Sequence, residues 1–438
     1  MLGCKCVGVS AVGFLVLTVG TECLAQPMPL ARRTGGILVC DSQGDKLSLL
    51  RDVDGDGTIN TSDPLEHIDF FSAANQSGLL SPVANPTAIM QTADGTVYVC
   101  DLTTRSIYAL RDNNGNGTAN DAGEARLWFS QAANAEAFTM GAPLALGADT
   151  SGAIFIGTAG TGSLPQRAIY RTVDLGTQDG NANGPGEATI WADLSNLILP
   201  TNTSSIQDMC FIGDRAYIMD TRANSPTQAL LTMQETGGVA GQIDAAEFGV
   251  FAFNGDSNGN VVGVSCVTDG VSICTHESGQ STAHRIFRYT DGNVNNTIDV
   301  ASERVEVWNV SAISPALPAS NAFAIAVGPG GDLALATSSG TRMVAVMHDG
   351  SGDGDFMDAN ETKVIISTTA TTTAYRQLTF YAAACKADFN ASWVVTIDDL
   401  FLYFNAYFLS DPKADINGVG GVTIDDLFLF INLWFTGC

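Results

Sequence analysis

From residue 36 onward the chain alternates short apolar segments with clusters of Gly, Asp and Asn. One unit shows the pattern. Thr87 to Thr92 alternates, Asp94-Gly95 turns, and Val97-Tyr98-Val99-Cys100-Asp101 alternates again. A short loop leads to Ile107-Tyr108-Ala109-Leu110, then an Asp/Asn/Gly stretch, and after Gly123-Glu124 a fourth apolar segment, Ala125 to Phe129. Period-two segments of this length, bounded by turn residues, predict four antiparallel strands.

The Asp/Asn/Gly stretch is the marker by which the unit can be followed. Its fullest copy is DVDGDGTINTSD, Asp52 to Asp63. Asp52, Asp54, Asp56, Asn60 and Asp63 stand at positions one, three, five, nine and twelve, with Thr58 at seven and Gly57 at six. Hard oxygen donors alternating around a glycine bend are the spacing of a Ca²⁺ loop, and a solvated Asp/Gly turn is the plainer alternative. Further copies start at Asp112, Leu175, Glu235, Asp291 and Asp349, which makes six starts 56 to 63 residues apart. The second copy offers Asp112, Asn114, Asn116 and Thr118, the fifth Asp291, Asn293, Asn295 and Thr297, and the sixth Asp349, Ser351, Asp353 and Asp355. In these three the distal acid falls at position thirteen, as Glu124, Glu303 and Glu361. The third (Gln178 to Glu187) and fourth (Glu235 to Glu247) are degraded as Ca²⁺ loops.

Six units of four strands predict a six-bladed β-propeller over residues 26–384, in preference to an open β-solenoid. The ends of the repeat favour a ring. The first unit, from Gly36, lacks an inner strand, and an unassigned strand-like segment, Gln377 to Tyr381, follows the last outer strand, Lys363 to Ile366. That segment would complete the first blade and leave no open sheet edge at the join.

From Cys385 the period changes. Ala387-Asp388-Phe389-Asn390 and Ala414-Asp415-Ile416-Asn417 open two copies of one unit, offset by 27 residues, and both contain the string VTIDDLFL. Apolar residues at 400, 401, 404, 407 and 408 return at 427, 428, 431, 434 and 435, one face of an amphipathic helix in each copy. A loop entering a helix, twice, is an EF-hand-like arrangement, so residues 385–438 are expected to form a small α-helical domain.

These residues resemble a dockerin module of the type that ends in Gly-Cys. The resemblance implies two Ca²⁺ sites, one on Asp388, Asn390, Thr396 and Asp399 and one on Asp415, Asn417, Thr423 and Asp426. It also implies docking onto a cohesin-like or cell-surface anchoring partner. A helical hairpin that folds without metal is the alternative. Cys385 and Cys438 bracket the segment; they are expected to pair in a disulfide, the rival being that the terminal Gly-Cys is a processing or attachment signal. The propeller half is similar in a general way to NHL-type and SMP-30-type propellers, through strings such as DGTVYVCD.

Composition narrows the setting. A formal charge of −26 argues against nucleic acid or anionic membrane as a partner, and much of the acid lies in the loops. Lys5, the apolar run Val7 to Val19 and Cys23-Leu24-Ala25 read as a secretory signal over residues 1–25, too short for a membrane span. A secreted, surface-associated protein is expected. Seven cysteines then remain, an odd number, and none stands in a CxxC or Cys/His metal spacing.

No catalytic motif is present: no nucleophile elbow, phosphate loop or HExxH. Asp208, Asn260, Asn321 and Gln377 on the inner strands are the channel-facing candidates. Asp41, Asp101 and Asp220 end second strands and read more simply as turn residues. His276 and His284 flank an enlarged loop in the fifth unit. Cys40, Cys100 and Cys274 are expected at one shared blade position, as buried packing. Two functions stay open: a Ca²⁺-stabilised binding or scaffold protein, or an enzyme acting on sugars or lactones at the channel.

Overall fold

A computed structural model describes residues 35–72, 83–92, 95–112, 116–136, 138–159, 168–175, 179–194, 204–222, 228–237, 241–254, 262–278, 284–299, 301–310, 322–328, 331–337, 341–358, 360–382, 387, 389, 397–411, 414, 416 and 421–436. The secretory segment, Asn114, Asn260, Asn321, Asp388, Asn390, Thr396, Asp415, Asn417, Cys385 and Cys438 lie outside them.

The chain forms a six-bladed all-β propeller. The second blade shows the unit: β4 (Pro86–Gln91), β5 (Val97–Asp101), β6 (Ser106–Leu110) and β7 (Ala125–Ser130) pair in chain order, all antiparallel. Four more blades repeat it, from β8 (Ala142–Ala148), β12 (Ser204–Ile212), β16 (Val262–Thr268) and β20 (Ala322–Val327) on the inside to β11 (Ala188–Asp193), β15 (Phe248–Asn254), β19 (Arg304–Asn309) and β23 (Thr362–Thr368) on the outside. The ring closes as expected. β24 (Tyr375–Phe380) is the inner strand of the first blade, pairing with β1 (Ile37–Asp41), which continues to β2 (Lys46–Leu50) and β3 (His67–Ser72). Second and third strands such as β1, β5 and β6 are buried along their whole length, because each blade is packed between two others.

Every blade carries two irregularities at matching positions. The inner strand slips register opposite the second, for example between Pro86 and Ala88 or Ile206 and Asp208. The outer strand slips opposite the third, as at Ile107/Tyr108 and Ile286/Phe287. Bulges increase local twist, and twelve of them let short flat strands wind into propeller blades.

Two helices follow, α1 (Ile397–Phe408) and α2 (Ile424–Thr436). Tyr403 and Phe430, related by the 27-residue offset, stack with ring centroids 3.8 Å apart, and Phe389 meets both rings edge-on. The apolar cluster around them is drawn from residues between Phe389 and Trp434 only.

Candidate metal loops and channel

Two regions were candidates: the six Asp/Asn/Gly loops and the central channel. The loops connect third and fourth strands, and they share one hydrogen-bond plan. The position-one acid accepts the amide of a residue with positive φ: Asp52 from Gly57, Asp112 from Gly117, Asp174 from Gly180, Glu235 from Gly241, Asp291 from Asn296 and Asp349 from Gly354. Glycine holds five of those six places because they require the left-handed conformation. The third loop therefore begins at Asp174, not at Leu175; Leu175 donates its amide to Glu187 instead.

A second acid organises the far side of each loop, and it is a buried glutamate in all six: Glu66, Glu124, Glu187, Glu247, Glu303 and Glu361. Its carboxylate accepts loop amides. Glu66 takes those of Val53, Asp54 and Asn60; Glu361 takes those of Gly350, Ser351 and Asp358. Its backbone carbonyl accepts the amide that follows the third strand, Arg51 to Glu66 at 2.8 Å and Arg111 to Glu124 at 2.7 Å among them. Asp63, expected to close the first loop at position twelve, accepts the amide of Leu65 at the turn that leads into Glu66. The closing acid is Glu66. It was missed because this loop is longer than its relatives, so an Asp falls where counting expects the acid.

The loops also join the blades. Two residues past the positive-φ position, a backbone amide reaches the outer strand of the preceding blade. Ile59 donates to Ile365, Ala119 to Phe70, Ala182 to Trp128, Ile243 to Trp191, Ile298 to Phe251 and Phe356 to Val307, all at 2.7 or 2.8 Å. The donors' side chains are buried, apart from the part-buried Ile298. In the second and third loops Asn120 and Asn183 add side-chain bonds to the same outer strands. An outer strand is an exposed edge, and these loops cap it.

Only the first loop gathers three carboxylates among the described residues: oxygen atoms of Asp52, Asp54 and Glu66 lie within 4.8 Å of one another. Burial raises the pKa of Asp52; bonds from Gly55 and Gly57 oppose this, and the charges of Asp56 and Asp54 add to it. Each Asp52 oxygen takes one amide, which leaves lone pairs free. An all-oxygen set of three carboxylates fits a hard divalent cation and offers nothing to a soft one. The ammonium of Lys363, from the preceding blade, donates to the Asp56 carbonyl at 2.8 Å and brings a positive charge to the loop rim. In the fifth loop Asn293 and Asn295 donate to Asp299, and in the second Asn116 donates to Asp121, so carboxylates not singled out by spacing enter both loops. Thr58, Thr118 and Thr297 at position seven each donate to the position-five residue. In the sixth, Asp349 accepts from Ser351, Asp353 accepts from the amide of Asp355, and Asp355 from Met357. In α2, Asp426 is fully buried and accepts both the amide and the hydroxyl of Thr423, a capping arrangement that holds the helix start. Asp399 is its buried counterpart in α1.

The channel is lined by the inner strands. Ala88, Ala145, Asp208, Ser265 and Ala324 share one register position just after the bulge, and Gln377 follows the bulge of β24. Asp208 belongs to the fourth blade and Gln377 to the first, so the Gln377 side chain, which lowers the pKa of that carboxyl, acts on it from across the channel. Asp208 also accepts from the Ser265 hydroxyl at 2.5 Å and from the amides of Cys266 and Met209. Burial raises its pKa to about 6, against the lowering effect of those bonds. Asp208 and Gln377 line a cavity of about 640 Å³, walled also by Met90, Tyr98, Leu146, Met209 and Phe211 among others, with no Lys, Arg or His among its lining residues. It involves the Asp149–Gly152 turn between first and second strands, on the face that also carries the Asp/Asn/Gly loops.

Asp41 and Asp101 resolve as structure, while Asp220 is fully buried near the end of β13 (Arg215–Arg222). Asp41 accepts the amides of Gln43, Gly44 and Ala374, and Asp101 those of Ala84, Asn85 and Thr104, so both knit connections on the opposite face. Cys40 and Cys100 are fully buried, and burial pushes their thiols well up. Cys274 does not share their position. The Thr268-to-Ser272 turn matches Thr92-to-Thr96, which places His276 opposite Ser265 as Cys100 is opposite Ala88, and Cys274 two residues earlier. His284 is buried, away from the loop surface expected for it.

No protein-family model matches the chain, and no curated protein does, so the dockerin resemblance gains no support there. Solved structures resemble it in fold. A virginiamycin B lyase from Staphylococcus aureus is 15% identical over 75% of this chain and 80% of its own, with a TM-score of 0.40. A gluconolactonase from Xanthomonas campestris is 14% identical over 64% and 75%, with a TM-score of 0.39, and TolB from Acinetobacter baumannii 12% over 80% and 67%, with 0.44. None of these carries an activity over to this chain.

Proposed function

We propose that the chain is an exported, Ca²⁺-stabilised propeller that serves as a binding or scaffold protein, held to a surface or protein assembly by its C-terminal helical domain. The observation that carries the attachment is a duplicated apolar surface on the two helices. Ile397 and Ile424 are 51% and 52% exposed, Phe401 and Phe428 63% and 65%, and Phe408 and Phe435 78% and 69%. Each pair is related by the 27-residue offset, so the repeat preserves the exposure as well as the residue type. Six large apolar side chains on so small a unit favour a partner that covers them. A cohesin-like or cell-surface protein is the partner this reading names. Ca²⁺ is the cation proposed for the first loop, with Asp52, Asp54 and Glu66 as the first ligands.

The test is cell fractionation in the source organism. The full chain is expected in the surface fraction, while a chain ending at residue 384 and a Phe401→Ser/Phe428→Ser variant are released to the medium. Equal surface retention of all three overturns the attachment.

The second reading, an enzyme acting on sugars or lactones, draws on Asp208, a carboxyl raised to about 6 at the end of a cavity. Against it, Asp208 already accepts the Ser265 hydroxyl and the amides of Cys266 and Met209, so those bonds hold its carboxylate in place. Turnover of sugar lactones that disappears in Asp208→Asn would favour the enzyme; no turnover in either protein favours the binder.

A further inference from the structure

Cys210 on β12 and Cys266 on β16 belong to the inner strands of neighbouring blades, which run side by side along the channel. Register explains why they meet. Met209, the register-mate of Cys266 one blade earlier, lies over Gly147, its Cγ 3.0 Å from where a β-carbon would stand. Gly147 faces Phe155 across its blade as Cys210 faces Tyr217, so Gly147 and Cys210 are register-mates too. The ring's repetition therefore lays the Cys266 side chain over Cys210. Cys266 Sγ stands 3.6 Å from the carbonyl of Tyr217, the residue paired directly with Cys210. Both sit in one apolar cluster, and both line the cavity, which gives a small oxidant a route to them. Cys40, Cys100 and Cys274 are buried and do not line this cavity.

We propose that Cys210 and Cys266 are a redox site: an oxidant of the disulfide class converts them to a disulfide that staples the fourth blade to the fifth. One thiolate attacks the oxidant's disulfide and forms a mixed disulfide, releasing one oxidant thiol. The second thiolate attacks the protein sulfur of that intermediate, the new S–S bond forms, and the second oxidant thiol leaves. Two protein S–H bonds are lost, and their two electrons and two protons end on the two released thiols. Burial pushes the Cys266 thiol well up, so the rate rises with pH.

The test uses the purified full chain, reduced and then incubated with oxidised glutathione, denatured, alkylated and mapped by mass spectrometry. The expected result is a cross-linked peptide pair containing Cys210 and Cys266, separate from any Cys385–Cys438 pair, with Cys40, Cys100 and Cys274 alkylated. Oxidised protein should melt at a higher temperature than reduced protein, and Cys210→Ser and Cys266→Ser should abolish that difference. Full alkylation of both cysteines after oxidation overturns the proposal, as does a stable glutathione adduct at Cys210 or a bond from Cys210 to Cys274. The mapping on wild-type protein stands even where a serine variant folds poorly.

Discussion

Removing one loop glutamate tests the physical account of the blades. Glu361 is 5% exposed; its Oε1 accepts the amides of Gly350 and Ser351 at 3.0 Å each, and its Oε2 that of Asp358 at 3.1 Å. Glu361→Ala leaves three donors without an acceptor. A buried donor so orphaned costs about 1–3 kcal/mol, and water reaches part of this loop, so a total of about 3–5 kcal/mol is expected. Glu361→Gln keeps one oxygen and turns an amino group toward Asp358, and should cost about 1–2 kcal/mol. The loop also carries Phe356, whose amide joins Val307 of the fifth blade, so the loss is felt between blades and not only within the hairpin. Thermal melts and urea midpoints measure both variants. At about 2–4 °C per kcal/mol for domains of 150–250 residues, and less for a larger ring, Glu361→Ala should lower Tm by about 5 °C or more. If Glu361→Ala melts within a degree of wild type with an unchanged urea midpoint, the glutamate does not hold the loop.

Further expectations concern the cation, the channel, the closure and the helix cap. Chelation, or Asp54→Ala with Asp56→Ala, should lower Tm, and Ca²⁺ should restore only the wild type; identical melting with and without Ca²⁺ refutes a structural metal. Asp208 is raised from its ordinary 3.8 to about 6 in the folded state, so the folded protein binds its proton more tightly than the unfolded chain. Its contribution to stability is therefore most favourable below about pH 4, falls as the pH rises toward about 6, and is level above that, a change of about 3 kcal/mol. The wild-type pH–stability curve should lose this fall in Asp208→Asn, and parallel curves would contradict it. A chain ending at residue 384 should unfold cooperatively, whereas one ending at 370 lacks β24 and should aggregate, because β1 is left as an open edge. Thr423→Ala should cost the second helix about 1 kcal/mol, read as lower helicity at 222 nm; unchanged helicity would mean that Asp426 is not a capping partner.

What could be read from the sequence follows the range of the interaction that encodes it. Blade number, strand number and ring closure were legible because alternation and turn residues are local signals, and the loop repeats them six times. The closing acid of the first loop was not, since Asp63 satisfies the count while Glu66 satisfies the geometry. The inter-blade bonds were hidden for another reason. Ile59 and Ile365 meet through backbone atoms, and a backbone amide leaves no mark in the sequence. Cys274 was misplaced because a shared residue type was followed where the Thr268–Ser272 turn sets the register. Asp208 and Gln377 were both legible as channel candidates, but their pairing depends on the first and fourth blades facing each other across a ring.

The central claim is that the six loops lock each blade to the one before it. Hydrogen exchange on the amides of Ile59, Ala119, Ala182, Ile243, Ile298 and Phe356 tests it most directly. These amides should exchange only on global unfolding, as slowly as those of β5 and β6, although they lie in surface loops. Exchange as fast as that of the exposed loop amides of Thr61 and Val294 would contradict it.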